Sequence, residues 1–249
     1  MLNLPRGNNP VFALNCLWQG VKMLTHPELR KYLLIPLFIN MVLYTGAFVL
    51  GYHSVSALIH SFIPDWLSWL NWILWPLFFI SFLVIGFFTF TLFANLIAAP
   101  YYSQLAAKTL QLISGGSVVK ADLPWDKVFF GELRRVGYLL LRVLPVLLLF
   151  LIPVVNLIAP FIWAVFAAWG IAMEFLAYPL EERGLPFPEQ KQFMQQTRWG
   201  VLSFGGLTGL GLTLPIVNLV MGQAAVIGAT IYVYRLAETE SPAAEQPIT

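Results

Sequence analysis

The sequence predicts an all-α integral membrane protein that forms a single membrane domain over 1–249. Its predicted parts are an N-terminal interfacial amphipathic helix, two long transmembrane helices, and two Pro/Asn-broken helical hairpins partly inserted in the bilayer. Hydrophobic residues make up 59% of the chain, charged residues only 10%, and the mean hydropathy is +0.75. A soluble domain carries about 25% charged residues. Four charge-free runs are each longer than the roughly 20 residues that a spanning helix needs. They are 32–64, 66–107, 143–173 and 199–234.

The first predicted element is an amphipathic helix over 10–24. Asn9 is placed to cap this helix, and Pro10 fits its first position. The apolar residues fall on one face, namely Val11, Leu14, Leu17, Trp18, Val21 and Leu24. This pattern is typical of a helix that lies in the membrane interface. Packing of the helix against the rest of the protein is the alternative.

Two long helices are predicted next, over 26–63 and 66–99. Thr25 and Glu28 have the spacing of a capping box at the start of the first helix. Tryptophans at three-residue spacing mark a membrane boundary at the start of the second helix. They are Trp66, Trp69, Trp72 and Trp75. Both helices are long enough to cross a bilayer with some tilt.

The distribution of Lys and Arg predicts the orientation. All 14 of these residues lie in four segments that two crossings and two hairpins would place on one side: 1–31, 100–142, 174–198 and 235–249. The positive-inside rule puts these segments and both termini in the cytoplasm. We therefore expect 100–138 to be a cytoplasmic segment and 236–249 to be a flexible tail.

A repeated pentapeptide, Pro-x-Val-Asn-Leu, interrupts the last two apolar runs at 153–157 and 215–219. Proline removes a backbone donor and disfavours helix at the preceding residue. Asparagine can satisfy loose backbone groups or start a new helix. We therefore predict structural breaks at Pro153 and Asn156, and at Pro215 and Asn218. Internal duplication and a chance match within apolar sequence both explain the repeat.

These breaks divide 139–175 and 199–235 into two helical hairpins. The arm from Leu139 to Ile152 has 14 residues, about 21 Å of helix, which is shorter than a ~30 Å hydrocarbon core. The hairpins are therefore expected to dip into the bilayer or barely cross it. The second hairpin contains a glycine-rich stretch from Gly205 to Gly211, which favours close packing of helices.

Catalysis is not predicted. The chain has one cysteine, three scattered histidines and no phosphate-binding glycine loop, so we expect no metal, no cofactor, no nucleotide and no nucleic acid. Two candidate functions remain: the passage of a solute across the membrane, and a role in assembly. Arg30 and Lys31, with the amides near Leu29 at a helix start, would hold a tetrahedral dianion such as sulfate. Anchoring at anionic lipid headgroups is the alternative for these cations.

A second charged face enters the membrane beside the third apolar run. It consists of Glu132, Arg135 and Arg142. Ionisable groups at this depth are costly and often functional, so these residues are candidates for lining an anion pathway. Snorkelling to the membrane boundary is the alternative for Arg142.

Four segments in order resemble the CysZ family of bacterial sulfate permeases, over about residues 10 to 235. They read ELRKYLLIPLFIN, FANLIAAPYY, YPLEERGLPF, and LPIVNLVMG followed by QAAVIGAT. The resemblance implies sulfate uptake across the bacterial inner membrane for assimilatory cysteine synthesis. It also implies assembly as oligomers in the lipid bilayer. We expect a homo-oligomer whose transport is channel-like and independent of nucleotide. Sulfite and other oxyanions are further candidate substrates.

The resemblance also implies a sulfate site at the start of the first long helix. The family's Gly-Leu-Arg motif, followed by a basic residue, corresponds to Glu28, Leu29, Arg30 and Lys31. Leu29 and Arg30 match, and Lys31 keeps the charge but lacks the planar fork of arginine. Glu28 replaces the glycine and adds negative charge beside an anion site. Two other functions stay open: an ion-coupled secondary anion transporter, and a non-transporting membrane scaffold or assembly factor.

Overall fold

The computed structural model describes residues 4–62, 69–116 and 125–238, and this part of the chain is almost entirely helical. Its helices are α1 (Leu4–Gly7), α2 (Pro10–Met23), α3 (Arg30–Phe62), α4 (Asn71–Ile113), α5 (Trp125–Leu149), α6 (Ala159–Glu182), α7 (Phe187–Gln196), α8 (Arg198–Thr213) and α9 (Pro215–Glu238). The all-α class is thus confirmed. The predicted start of the second long helix at Trp66 and most of the predicted tail, from residue 239 onward, lie outside the described residues.

Three helices in the described ranges are long and apolar enough to cross a membrane, and the first part of α4, Asn71–Ile85, is a shorter apolar stretch. The three stretches are Arg30–Ala57, Ala159–Glu182 and Val217–Ala237. They belong to α3, α6 and α9. The specific arrangement of two transmembrane helices and two partly inserted hairpins stays a prediction.

The chain divides into two compact units, one made by Met1–Arg30 with Tyr102–Thr249 and the other by Lys31–Tyr101. In the second unit, α3 and α4 run antiparallel and are joined by aromatic contacts. The ring centroids of Phe48 and Phe82 are 5.1 Å apart, and those of Tyr52 and Trp75 are 4.9 Å apart. Only 6% of the apolar window of α3 is buried. Its outer surface is therefore suited to contact with lipid.

Helix α9 forms the core of the first unit. Every residue from Met221 to Val233 is buried, and 72% of the apolar window of this helix is covered by protein, against 33% for α6. A helix that is hydrophobic on all sides belongs in a protein interior or a membrane. In α9, the neighbouring helices α2, α6 and α8 supply most of that apolar surrounding.

Small residues allow these helices to approach closely. A Cβ atom on Gly20 of α2 would overlap the carbonyl oxygen of Ala224 in α9, and one on Gly228 would lie 2.8 Å from the Cα of Leu17. A Cβ atom on Gly205 of α8 would likewise overlap the carbonyl oxygen of Ala168 in α6. The prediction that the glycine-rich stretch of α8 serves close helix packing is confirmed.

The N-terminal helix α2 begins as predicted. The side-chain oxygen of Asn9 accepts hydrogen bonds from the amides of Val11 (2.9 Å) and Phe12 (3.4 Å), and Pro10 is the first helical residue. The buried face, however, consists of Ala13, Cys16, Leu17 and Gly20. Val11 and Trp18 are 64% and 58% exposed. Packing against the protein thus holds for the small-residue face of α2, and the two large apolar side chains point away from that contact.

The predicted capping box before α3 is wrong. The Thr25 hydroxyl donates back to the carbonyl of Lys22 (3.1 Å), so it does not cap the following helix. The carbonyl of His26 instead accepts from the amides of Leu29 (2.9 Å) and Arg30 (3.0 Å). Because residues 26–29 form this turn, α3 begins at Arg30 and not at His26.

The helices are interrupted near both copies of the pentapeptide. Helix α5 ends at Leu149, a short 3-10 turn spans Val155–Leu157, and α6 starts at Ala159. In the other hairpin, α8 ends at Thr213 and α9 starts at Pro215.

The two copies of the pentapeptide share one hydrogen bond. The amide of Asn156 donates to the carbonyl of Ile152 (3.0 Å), and the amide of Asn218 donates to that of Leu214 (2.7 Å). In each copy the acceptor belongs to the residue before the proline. The copies differ afterwards, because Val154 has a φ of 71° and the second copy continues directly into α9.

The first arm of the first hairpin is longer than predicted, and the breaks of the two hairpins lie near different ends of α6. Helix α5 has 25 residues, about 37 Å, and includes the polar stretch before Leu139. The ring of Tyr102 lies 6.0 Å from that of Phe175 and also meets Gly222. The first turns of α9 therefore lie beside the C-terminal half of α6. The break before Pro215 therefore lies near the C-terminal half of α6, whereas the break at Pro153 precedes the N-terminal end of α6.

We predict that Gly20→Ala lowers the free energy of unfolding of the detergent-solubilised protein by about 1–3 kcal/mol, because the added methyl group meets the backbone of α9. The midpoint of thermal unfolding should fall accordingly. Gly137→Ala is the matched control, since no atom lies within 4 Å of its Cβ position on α5. Alanine there should leave stability unchanged or raise it by up to about 1 kcal/mol. Thermal unfolding followed by circular dichroism measures both. Equal midpoints for the two variants would contradict the proposed glycine contact.

Candidate anion-binding site

The turn that precedes α3 is anchored by a buried residue, Leu29, and is followed by two exposed cations, Arg30 and Lys31. Leu29 is only 2% exposed, and the Glu28 amide donates to the Nδ1 atom of His26 (3.3 Å). The side chains of Arg30 and Lys31 are exposed. The buried leucine therefore anchors the turn, while the next two residues present positive charge at the start of a helix.

The amides closest to Leu29 are not available to an anion. Those of Leu29 and Arg30 both donate to the carbonyl of His26. The expectation that these amides assist anion binding is therefore wrong for the two donors. The charges of Arg30 and Lys31, together with the positive end of the helix dipole, remain as the attractive groups.

Glu28 has a partner that the sequence pattern did not reveal. Its carboxylate forms an ion pair with the ammonium group of Lys108 on α4 at 2.6 Å. Lys108 also donates to the side-chain oxygen of Gln111 (3.3 Å). The negative charge that Glu28 introduces beside Arg30 is therefore compensated within the same unit. Because the two residues are 80 positions apart, no local motif could have paired them.

Arg135 lies in a network that joins α5, α6 and α7. Its guanidinium contacts Glu132 at 2.7 Å, Glu181 at 2.8 Å and the side-chain oxygen of Gln190 at 3.2 Å. Gln190 in turn donates to the carbonyl of Leu185 (2.9 Å). Arg135 is 8% exposed, and two carboxylates offset its charge. The arrangement is that of a structural clamp, with two members, Glu181 and Gln190, that sequence reasoning missed.

The structure does not group Arg142 with that network. Arg142 is exposed, and its guanidinium lies 3.6 Å from the ring centroid of Tyr138. Glu132 and Arg135 form one ion pair, whereas Arg142 faces a different groove, lined also by α6, α7 and α8. The role of these three residues in an anion pathway stays a prediction. Their geometry gives only Arg142 an accessible positive charge.

No cluster of three or more His, Cys, Asp or Glu that could hold a metal ion is found in the part of the chain that the structure describes. Cys16 is fully buried between α2 and its neighbours. Burial raises the pKa of its thiol to about 12. The thiol is therefore protonated at neutral pH and is a poor nucleophile.

Comparison with known proteins gives consistent matches over most of the chain. Residues 16–221 match the family described as Sulfate transporter CysZ/Etoposide-induced protein 2.4. The chain is 38% identical over 224 residues to Sulfate transporter CysZ of Pseudomonas fluorescens (strain Pf0-1), covering 86% of this chain and 89% of that protein. It is 34% identical over 222 residues to Sulfate transporter CysZ of Vibrio atlanticus (strain LGP32), covering 85% and 87%.

We predict that Arg135→Met destabilises the protein by about 2–3 kcal/mol, because Glu132 and Glu181 lose the charge that pairs with them. Its exposed neighbour Arg134 supplies the control, and Arg134→Met should change stability by less than about 0.5 kcal/mol. In the double variant Arg135→Met/Glu181→Leu, the loss should be smaller than the sum of the single losses. Strict additivity in chemical denaturation would show that the clamp does not exist.

Proposed function

Because this chain belongs to the sulfate transporter CysZ/EI24 family, we propose that it is a sulfate permease and not an enzyme. The observation that carries the proposal is the match to proteins named sulfate transporter CysZ, at 34–38% identity over 85% or more of the chain. The apolar helices of both units support a location in a membrane. We place the protein in the bacterial inner membrane, where it takes up sulfate for assimilatory cysteine synthesis.

The proposed transport is channel-like and independent of nucleotide. Two membrane helices and two hairpins, with both termini in the cytoplasm, form one subunit of a homo-oligomer. The antiparallel pair of α3 and α4 supports a homo-oligomer, since the two helices of one subunit enclose no passage by themselves. Several subunits would have to surround the sulfate path.

We assign sulfate recruitment to the start of α3. Arg30 and Lys31 are exposed at the positive end of a long helix, and the buried Leu29 holds their backbone in place. A guanidinium can donate two parallel hydrogen bonds to two oxygens of a tetrahedral dianion. The ammonium group of Lys31, whose Nζ lies 5.1 Å from the ring centroid of Tyr32, adds a second positive charge. Sulfite oxygens accept hydrogen bonds from the same side-chain donors, and sulfite is a second expected substrate.

Glu28 belongs to this site as a charge-balanced neighbour. An unpaired carboxylate next to Arg30 would repel a dianion and would compete for the guanidinium. The ion pair with Lys108 removes most of that effect. Lys108 is therefore a positioning residue for the proposed site: it acts on sulfate through Glu28.

The first experiment measures radiolabelled sulfate flux into liposomes that contain the purified protein, with and without a proton gradient. We expect flux driven by the sulfate gradient alone. Arg30→Ala should weaken sulfate affinity roughly tenfold, which corresponds to the loss of a charge-assisted hydrogen bond, and should not alter the melting temperature. Arg134→Ala removes a surface arginine of α5 and should leave affinity unchanged.

Three other results would each change the assignment. Flux that requires the proton gradient would make the protein an ion-coupled secondary anion transporter. Absence of flux from folded protein in both conditions would favour a membrane scaffold or assembly factor. Unchanged sulfate affinity in Arg30→Ala would remove the start of α3 from the transport mechanism.

A separate prediction concerns the Glu28–Lys108 pair. Lys108→Gln should weaken sulfate binding by roughly two- to fivefold, the range expected for an exposed ion pair, because the carboxylate of Glu28 then acts on the anion without compensation. Adding Glu28→Gln to that variant should restore the affinity. Isothermal titration of the detergent-solubilised protein with sulfate, at low ionic strength, measures both variants. If the double variant binds as weakly as Lys108→Gln alone, Lys108 does not act through Glu28.

A further inference from the structure

An open groove of about 810 Å³ lies between α5, α6, α7 and α8, within the unit that contains Tyr102–Thr249. Ten residues line it: Tyr138, Arg142, Phe161, Ile162, Val165, Phe166, Trp169, Gln195, Arg198 and Leu202. None of them belongs to the proposed sulfate site at the start of α3. The volume is in the range of pockets that hold organic ligands, which is ~300–1,000 Å³.

One wall of the groove comes from α6 and consists of aliphatic and aromatic side chains. It contains five side chains: Phe161, Ile162, Val165, Phe166 and Trp169. Helix α6 is one of the candidate membrane spans, and Phe161 and Val165 are 73% and 57% exposed. In a bilayer this wall is therefore continuous with a surface that faces hydrocarbon.

The lining that comes from α5, α7 and α8 includes two cations, Arg142 and Arg198. Arg142 lies against the ring of Tyr138 at 3.6 Å, and the ammonium group of Lys191 lies 5.1 Å from the same ring centroid. Arg198 lies 5.6 Å from the ring centroid of Trp199. No acidic residue is among the ten described residues that line the groove. The two arginines of the lining therefore lie against aromatic rings, and no acidic side chain of the lining pairs with them.

We propose that this groove binds an anionic phospholipid. Its phosphate would lie between Arg142 and Arg198, within reach of the amide of Gln195, and one acyl chain would cover the apolar wall of α6. Guanidinium groups are well suited to phosphate oxygens. A free inorganic anion would meet the same arginines but would gain nothing from five apolar side chains, three of them aromatic. This proposal concerns a lipid site and does not depend on the sulfate-permease function.

The test is the binding of dioctanoyl phosphatidylglycerol to the intact protein in a neutral detergent, measured by native mass spectrometry and by the shift in melting temperature. Dioctanoyl phosphatidylcholine, inorganic phosphate and glycerophosphoglycerol are the comparison ligands. We expect phosphatidylglycerol to bind at least tenfold more tightly than any of the three. The double variant Arg142→Ala/Arg198→Ala should lose that preference, and Arg134→Ala should keep it.

A second variant tests the apolar wall without changing charge. Leu202→Trp fills the groove from α8 and should weaken phosphatidylglycerol binding at least fivefold. Equal affinity for phosphatidylglycerol and phosphatidylcholine would overturn the proposal, and so would retention of the preference in the double arginine variant. Equally tight binding of inorganic phosphate or glycerophosphoglycerol would show a simple anion site and would also overturn it.

Discussion

Helix α9 can occupy the centre of its unit because glycine lets neighbouring helices reach its backbone. Gly20 and Gly228 lie at the crossing of α2 and α9, where any Cβ atom would meet main-chain atoms of the other helix. Together with α6 and α8, α2 buries thirteen consecutive residues of α9, from Met221 to Val233. Helices that associate in a membrane cannot rely on the hydrophobic effect, because lipid is as apolar as their side chains. Close packing at small residues is then the main source of attraction.

Polar contacts add direction to that packing. The guanidinium of Arg135 fixes α5 relative to α6 and α7 through Glu181 and Gln190. The ion pair of Glu28 and Lys108 fixes the turn before α3 relative to the end of α4 within the same unit. Both involve a charge with a named partner, which is the condition under which burial or partial burial of a charge is tolerated. The exposed cations Arg30 and Arg142 are each proposed to bind a different anion, Arg30 together with Lys31 and Arg142 together with Arg198.

Local features of the structure could be predicted from the sequence, and tertiary features could not. The Asn9 cap and the two Pro/Asn breaks depend on residues within five positions of one another, so the pattern was sufficient. The start of α3 was misplaced because the His26 carbonyl competes for the amides that a capping box would have used. The partners of Glu28 and Arg135 come from distant segments and leave no local signal. Hydropathy also did not show that α9 is covered by protein, since burial in protein and burial in lipid select the same residues.

The hydrogen bond that closes each break has a consequence for the order in which the molecule forms. The amides of Asn156 and Asn218 reach carbonyls only four positions earlier, so each turn can be completed as soon as its own segment has been synthesised. Contacts of such short sequence separation form early. The crossing of Gly20 with Gly228, by contrast, joins the two ends of the chain. During synthesis α2 therefore has to wait for α9, exposing the small-residue face that it will later bury, while the hairpin turns are already in place.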